Sequence, residues 1–219
     1  MDKTYVWTFP NRVFHLLLIV LTLFMFFSDD DNMLIYHVMA GYCLALVLLF
    51  RIVWGFLGPK YSKFKDFPLE KNQVKIFIEK FFTSPFAYVG HNPIASYFMI
   101  AMIFISVCLI ISGIATYGAE EHKGLFASLS WGGFEDIHET FSNLLILLVL
   151  GHLLGIIIDK VMHKEHETLK SIFTGYKVTY SDESVKLAWW QKLIAIVFLV
   201  FFLFLLYYFT INPQNFLTA

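Results

Sequence analysis

Four histidines lie within or at the ends of strongly apolar stretches of the sequence: His15, His37, His138 and His152. An ionisable side chain at membrane depth is costly, and by default it indicates a functional site. Neutral imidazole is the commonest metal ligand in proteins and binds haem iron axially. Any single one of these histidines could instead be a hydrogen-bonded packing residue or part of a proton path. The remaining four lie in polar loops: His91, His122, His163 and His166.

The spacing of His138 and His152 favours two separate centres. Fourteen residues of α-helix turn through about 1,400°, which is about 40° short of four full turns, so both side chains leave the same helix face. At about 1.5 Å per residue they lie about 21 Å apart along the axis, too far to share one metal ion. Two cofactors stacked across a membrane would suit this spacing.

The elements that position these histidines are membrane-spanning helices. Of the 219 residues, 58% are hydrophobic and only 15% are charged, and a soluble domain of this length could not bury so much apolar surface. The net charge of −1 gives no basic surface for nucleic acid. Composition therefore excludes a soluble enzyme, a disordered chain and a nucleic-acid binder. Five stretches are long and apolar enough to span: residues 13–27 (starting as early as Pro10), 33–57, 94–117, 134–158 and 189–211.

The loops predict the orientation of these spans. Lysines concentrate between spans 2 and 3 and between spans 4 and 5, whereas the turn after span 1 (Asp29, Asp30, Asp31) and the loop between spans 3 and 4 are acidic. Basic residues favour the cytoplasmic side, which places the amino terminus inside and the carboxyl terminus outside. Two lysine-rich segments also have helical apolar spacing, and either interfacial helices or packing on the bundle ends would explain them. Their apolar residues are Val74, Phe77, Ile78, Phe81 and Phe82, and Leu169, Ile172, Phe173 and Tyr176.

Matching depths pairs the four histidines. With this topology His37 and His138 lie near the outer side, and His15 and His152 near the inner side. We therefore predict two b-type haems held between helices, each with two axial imidazoles. Glycines near these ligands would leave room for a flat macrocycle or would serve close helix packing. They are Gly41, Gly151 and Gly155.

The two arginines, Arg12 and Arg51, lie close to the predicted inner haem. A guanidinium pairs well with a carboxylate, so either residue could hold a haem propionate. The alternative is that both extend to the inner headgroups.

Several further motifs extend along the chain: residues 6–15, His37 with Gly41, residues 50–58 followed by Tyr61 and Phe64, residues 90–93, His138 with His152, and residues 167–169 leading to 174–177. Together they resemble the bacterial cytochrome b561 family, which overlaps in sequence with the b-type cytochrome subunits of nickel–iron hydrogenases. The likeness covers roughly residues 6–178. It implies a four-helix bundle with two b haems, ligated at the positions that match His15, His37, His138 and His152.

The resemblance implies a location in the bacterial cytoplasmic (inner) membrane and electron transfer between membrane quinone or quinol and a periplasmic partner. We expect a c-type cytochrome as partner, and the alternative is a membrane anchor of a hydrogenase or other dehydrogenase. A non-redox transporter with a histidine proton relay is the competing class, but it does not explain the pairing by depth. Residues 1–178 form the predicted dihaem domain, and residues 179–219 add a linker and a peripheral fifth helix that the family pattern lacks. The sequence leaves open whether the chain forms a homodimer.

Two smaller features border the predicted centres. Asn92 and Pro93 have the residue types of a helix start, although His91 beside them could instead exchange protons with a quinone. Asp136 and Glu139 flank His138 and could dock a basic partner.

Overall fold

The computed structural model describes residues 2–28, 31–81, 88–164, 167–179 and 183–213. In chain order it contains β1 (Asp2–Tyr5), α1 (Phe9–Phe27), α2 (Leu34–Leu57), α3 (Lys71–Lys80), α4 (Pro93–Glu121), α5 (Phe134–Met162), α6 (Thr168–Thr174), β2 (Tyr176–Thr179) and α7 (Trp189–Ile211). Two 3-10 turns, Asp31–Met33 and Phe64–Asp66, lie between the longer elements.

Within these described residues, five helices are long and apolar enough to cross a membrane: α1, α2, α4, α5 and α7. The prediction of an all-α membrane protein with five spans is therefore confirmed. The fifth span was predicted to the residue, whereas α4 and α5 each continue four residues past their predicted ends. A 29-residue helix is about 43 Å long, so both exceed the roughly 30 Å hydrocarbon core and continue into polar surroundings.

The chain forms two compact units, and each of the five long helices contributes one end to each unit. Unit 1 comprises Met1–Val13, Arg51–Met102 and Leu147–Leu193, and unit 2 comprises Phe14–Phe50, Ile103–Ile146 and Ile194–Ala219. Of the 16 lysines and arginines, all except Lys123 belong to unit 1. This distribution agrees with the predicted orientation, in which the lysine-rich helix ends share the cytoplasmic side.

A small antiparallel sheet in unit 1 was not predicted. β1 pairs with β2 from Asp2↔Thr179 to Tyr5↔Tyr176, and the Thr4 and Thr179 hydroxyls lie 2.5 Å apart. The sheet depends on Gly175, which ends α6 with a φ of 87°. A Cβ on this glycine would lie 2.5 Å from the Tyr5 ring, so both the backbone conformation and the close contact require glycine.

A buried polar cluster in unit 1 joins the start of α1 to the end of α2. The Asn11 side-chain oxygen accepts hydrogen bonds from Thr8 Oγ1 and Trp54 Nε1, both at 2.8 Å, and Asn11 Nδ2 donates to Ser62 Oγ at 2.8 Å. Trp54 is fully buried and Asn11 is only 5% exposed. Thr8, Asn11 and Trp54 belong to the motifs that suggested the family, so part of that pattern maintains the fold.

Helix α7 packs along α2, and contacts recur within each unit. In unit 1, Gln191 Nε2 donates to the Leu57 carbonyl at 2.9 Å. In unit 2, the rings of Phe198 and Phe50 stack with centroids 4.1 Å apart. Most of the remaining α7 surface is exposed and apolar, as expected for a helix that faces lipid.

The predicted interfacial segments are helical over α3 and α6, but Phe81 follows the end of α3 and Tyr176 lies in β2 rather than in a helix. Helix α3 buries Phe77 and exposes Ile76 and Ile78, whereas α6 exposes Leu169 and Phe173 and buries the polar Ser171. The predicted helix start at Asn92 is confirmed, because its side-chain oxygen accepts from the Ala95 amide at 2.8 Å. Asp29, Asp30, Phe82 and His166, which entered the predictions above, lie outside the described residues.

Lys177 on β2 is a buried cation in unit 1. Its side chain is in contact with little water, since the residue is 6% exposed, and its Nζ donates to the Tyr88 carbonyl at 2.5 Å. Burial lowers the pKa of Lys177 to about 8, and the carboxylate of Asp159 opposes part of that lowering.

This shift predicts a pH-dependent stability. Between pH of about 8 and 10 the unfolded chain keeps the Lys177 proton while the folded protein releases it, so folded stability rises with pH, by up to about 1.4 kcal/mol per pH unit. Burial raises the pKa of Tyr61 to about 12, so its titration lowers the folded stability as the pH rises, but only above pH 10. Thermal unfolding in detergent across pH 7.5–9.5 measures the slope. Lys177→Met should abolish it, and an equal slope in that variant would contradict the assignment.

Candidate metal centre

His37 on α2 and His138 on α5 face each other within unit 2. Their ring centroids lie 6.3 Å apart and the ring planes are inclined at 76°. His37 lies in the first turn of α2 and His138 in the second turn of α5, so two helix starts bring the imidazoles together. The structure thus brings together the two histidines that matching depths had paired at the outer side.

The hydrogen bonds of His138 determine its tautomer. Its Nδ1 lies 3.0 Å from the Leu109 carbonyl of α4 and 3.3 Å from Ser112 Oγ. A carbonyl oxygen can only accept, so Nδ1 carries the proton and donates. In a neutral imidazole Nε2 then has no proton, and a metal-binding histidine needs such a nitrogen.

His37 has a corresponding partner in Ser28, the residue that follows α1. Ser28 Oγ lies 3.3 Å from His37 Nδ1 and 3.3 Å from the Met25 carbonyl, and Ser28 is 1% exposed. Both rings therefore use Nδ1 for a protein partner, which assigns Nε2 as the metal-binding nitrogen of each.

Gly113 on α4 allows His138 to lie against that helix. A Cβ at residue 113 would be 2.7 Å from the Cε1 atom of His138, a distance that real side chains do not tolerate. Leu109, Ser112 and Gly113 thus form the surface of α4 that the His138 ring contacts, although α4 supplies no predicted ligand.

The pair fits an axially ligated haem. An imidazole nitrogen lies about 2 Å from a bound first-row metal, so the ring centres of two trans ligands lie roughly 6–6.5 Å apart once half of each ring is added. The observed 6.3 Å agrees with that span. His37 and His138 would hold a b-type haem in this position, and the bound iron would supply a one-electron redox centre.

The other predicted pair is divided between the units. His15 on α1 belongs to unit 2 and His152 on α5 belongs to unit 1. Helix α5 is continuous from Phe134 to Met162, as the predicted spacing of His138 and His152 requires. The inner haem ligated by His15 and His152 stays a prediction.

Both arginines are in unit 1, where their neighbours are now defined. Arg51 is 4% exposed, with Nη2 3.1 Å from the Met99 sulfur and the guanidinium carbon 5.0 Å from the Phe64 ring centroid. Arg12 donates from Nη1 to the Phe173 carbonyl at 2.6 Å, and its buried Nε has no hydrogen-bond partner among the described residues. The propionate role stays a prediction for each, and the orphaned Nε of Arg12 is compatible with an anionic partner.

The three glycines near the predicted ligands behave differently. A Cβ at Gly151 would lie 2.6 Å from the Phe98 ring of α4, which favours helix packing as the reason for this glycine. At Gly41 the nearest atom to such a Cβ would be Met25 Cε at an ordinary 3.6 Å, and at Gly155 no atom of the described residues lies within 4 Å.

Sequence reasoning missed the partners of the ligands. Ser28, Leu109, Ser112 and Gly113 have no metal-binding chemistry, and one of them acts through its backbone. The only available signal was the adjacent pair of small residues at 112 and 113, since small residues in a span indicate a close approach.

Five membrane-length helices with a bis-imidazole pair between two of them define the class of a helical membrane cytochrome. The match to a family model makes this specific: the chain belongs to the prokaryotic cytochrome b561 family, whose model matches residues 6–175. Membership confirms the resemblance inferred from the motifs, makes the chain an integral membrane protein, and implies haem b as its cofactor.

Several curated relatives are b-type cytochrome subunits. The chain is 27% identical over 164 residues to the probable Ni/Fe-hydrogenase 1 B-type cytochrome subunit of Escherichia coli K12, with 64% of this chain and 68% of the relative covered. It is 26% identical over 227 residues to the probable Ni/Fe-hydrogenase B-type cytochrome subunit of Cupriavidus necator, covering 83% and 89%. A similar subunit of Bradyrhizobium diazoefficiens is 28% identical over 163 residues, covering 64% of each chain. No solved structure matches the chain significantly.

Proposed function

We propose that this chain is the dihaem cytochrome b subunit of a nickel–iron hydrogenase and passes electrons from that partner to quinone in the membrane. The observation that carries the proposal is the facing pair of His37 and His138, with both Nδ1 atoms hydrogen-bonded to the protein. Each bound haem supplies a one-electron redox centre. The outer centre uses His37 and His138, and the inner centre uses His15 and His152.

The residues of the chain hold and orient such groups. His37 and His138 each hydrogen-bond the protein through Nδ1, which would leave Nε2 of each ring for a metal, and these bonds restrain the rings from turning. Arg12 and Arg51 are the candidate cations for propionates at the lysine-rich end. Residues 1–178 would form the dihaem domain, with α7 packed beside it.

The similarity to hydrogenase subunits favours a hydrogenase as partner over the c-type cytochrome expected from sequence alone. The helix ends in unit 2, which are poor in lysine, would provide the docking surface for this partner. Asp136 and Glu139 are exposed on either side of His138, and Leu125 and Trp131 are exposed in the preceding loop. Carboxylates around exposed apolar side chains would complement a basic partner surface next to the outer centre.

The hydrogenase assignment predicts a selective loss of coupling. In membranes of a strain that lacks this chain, hydrogen-dependent reduction of quinone should fall to background. Hydrogen-dependent reduction of a soluble dye should persist, because the catalytic subunits need no membrane cytochrome for that reaction. Absorbance assays of quinone and dye on the same membranes measure both rates.

A strain complemented with His122→Asn should behave as wild type, since His122 is exposed and its left-handed backbone (φ 56°) suits asparagine. Unchanged hydrogen-to-quinone activity in the deletion strain would overturn the hydrogenase assignment. If quinol oxidation by a c-type cytochrome were lost instead, the alternative partner would take its place.

A further inference from the structure

We infer that Ser28 is a positioning residue for the outer centre, and that its hydroxyl lowers the reduction potential of the haem bound there by accepting a hydrogen bond from His37 Nδ1. The inference rests on the proposed dihaem function and assigns Ser28 a role in tuning that site.

Ser28 is held by two bonds to one carbonyl. Its backbone amide and its hydroxyl both donate to Met25, at 3.4 Å and 3.3 Å. The hydroxyl proton is therefore directed to that carbonyl, and an oxygen lone pair remains for the His37 ring at 3.3 Å. With the hydroxyl proton on the Met25 carbonyl, His37 Nδ1 donates and Ser28 Oγ accepts.

Such a bond changes the ligand electronically. A histidine whose second nitrogen donates a hydrogen bond becomes a more basic ligand, which stabilises the more highly charged, oxidised metal. Hydrogen bonding around an iron centre is one of the means by which proteins adjust its potential. Removing the acceptor should therefore raise the midpoint potential of the outer haem.

The two outer ligands differ in whether a substitution can remove the acceptor of their Nδ1 hydrogen bond. His138 donates to the Leu109 carbonyl, which also accepts from Ser112 Oγ at 3.0 Å, and no side-chain substitution removes a backbone acceptor. The partner of His37 is a side chain on a different element. Ser28 can consequently be changed without altering a ligand or the helix that carries it.

The competing explanation is that Ser28 only ends α1. In that case Ser28→Ala would lower stability and leave the haem potential unchanged. The potential therefore distinguishes a positioning role from a structural one, and activity need not be measured.

The test is a redox titration of the α-band absorbance of the purified full-length chain, with haem content determined first. The outer component is identified as the one absent from His138→Ala. We expect Ser28→Ala to move this component to higher potential and leave the other in place, while Ser28→Thr, which keeps the hydroxyl, retains the wild-type value. Ser96→Ala is the matched control, because Ser96 is a fully buried serine whose hydroxyl donates to the carbonyl of Asn92, the residue that precedes α4.

If Ser28→Ala does not retain the outer haem, Ser28→Cys, a weaker acceptor of similar size, takes its place with the same expected direction. An unchanged outer potential in the haem-loaded variant, or an equal shift of both components, would overturn the inference. A wild-type chain that binds no bis-imidazole haem at all would instead refute the proposed function, so the two failures are distinguishable.

Discussion

Replacing His138 by alanine is expected to halve the haem content of the purified protein, from two b haems per chain to one. The loss should be selective because His138 provides one of the two facing imidazoles in unit 2, and the remaining His37 cannot hold a six-coordinate low-spin iron alone. The haem lost should be the outer one. A pyridine haemochrome assay against protein concentration gives the ratio, and redox titration shows which component is missing.

His152→Ala should have the reciprocal effect, removing the inner haem and keeping the outer. This comparison also tests the inner pair, whose two histidines the structure assigns to different units. Loss of both haems from either single variant, or a wild-type ratio near one, would contradict the pairing of His37 with His138 and of His15 with His152. His122→Asn again serves as the control with a histidine removed outside the predicted sites.

The largest loss of stability is expected for Asn11→Ala. The substitution leaves the Trp54 indole N–H and the Thr8 hydroxyl without their shared acceptor, and both residues are fully buried. A buried donor left unsatisfied costs about 1–3 kcal/mol, so the two together cost about 2–6 kcal/mol. Since many proteins have only about 5–15 kcal/mol of stability, much of this variant should fail to accumulate.

Thermal unfolding followed by the haem absorbance and by tryptophan fluorescence would measure the change. Asn143→Ala is the matched control, because this asparagine is exposed on α5 and its loss removes no buried acceptor. A variant with Asn11→Ala that unfolds within a degree of wild type would show that the cluster does not join α1 to α2. Trp54→Phe should give a smaller loss, since it removes one donor and leaves Asn11 its other partners.

The prediction of the helices from sequence was accurate because a bilayer restricts the possible structures. Hydrocarbon leaves backbone groups without water, so an apolar stretch of sufficient length must form a helix. That rule located α7 to the residue, whereas α1 begins before its predicted start and α4 and α5 continue past their predicted ends into polar sequence. The same rule does not apply outside the membrane. There, β1 and β2 have only four residues each, which is too short for a recognisable alternating pattern. They are also separated by 170 residues of chain, so nothing local to either strand indicates that the two pair.

Sequence by itself determined the membrane class, the five spans, the family motifs and the pairing of His37 with His138. These follow from hydropathy, loop charge and helix periodicity, all of which depend on residue type and spacing along one dimension. Only the tertiary structure decided that Nδ1 of each ring is engaged by Ser28 or by the Leu109 carbonyl, and that Gly113 makes room for His138. Those contacts depend on how one helix is rotated against another, which residue type and spacing do not specify. Every residue has a backbone carbonyl, and a glycine can serve several purposes, so the sequence does not indicate which of them contacts a ligand.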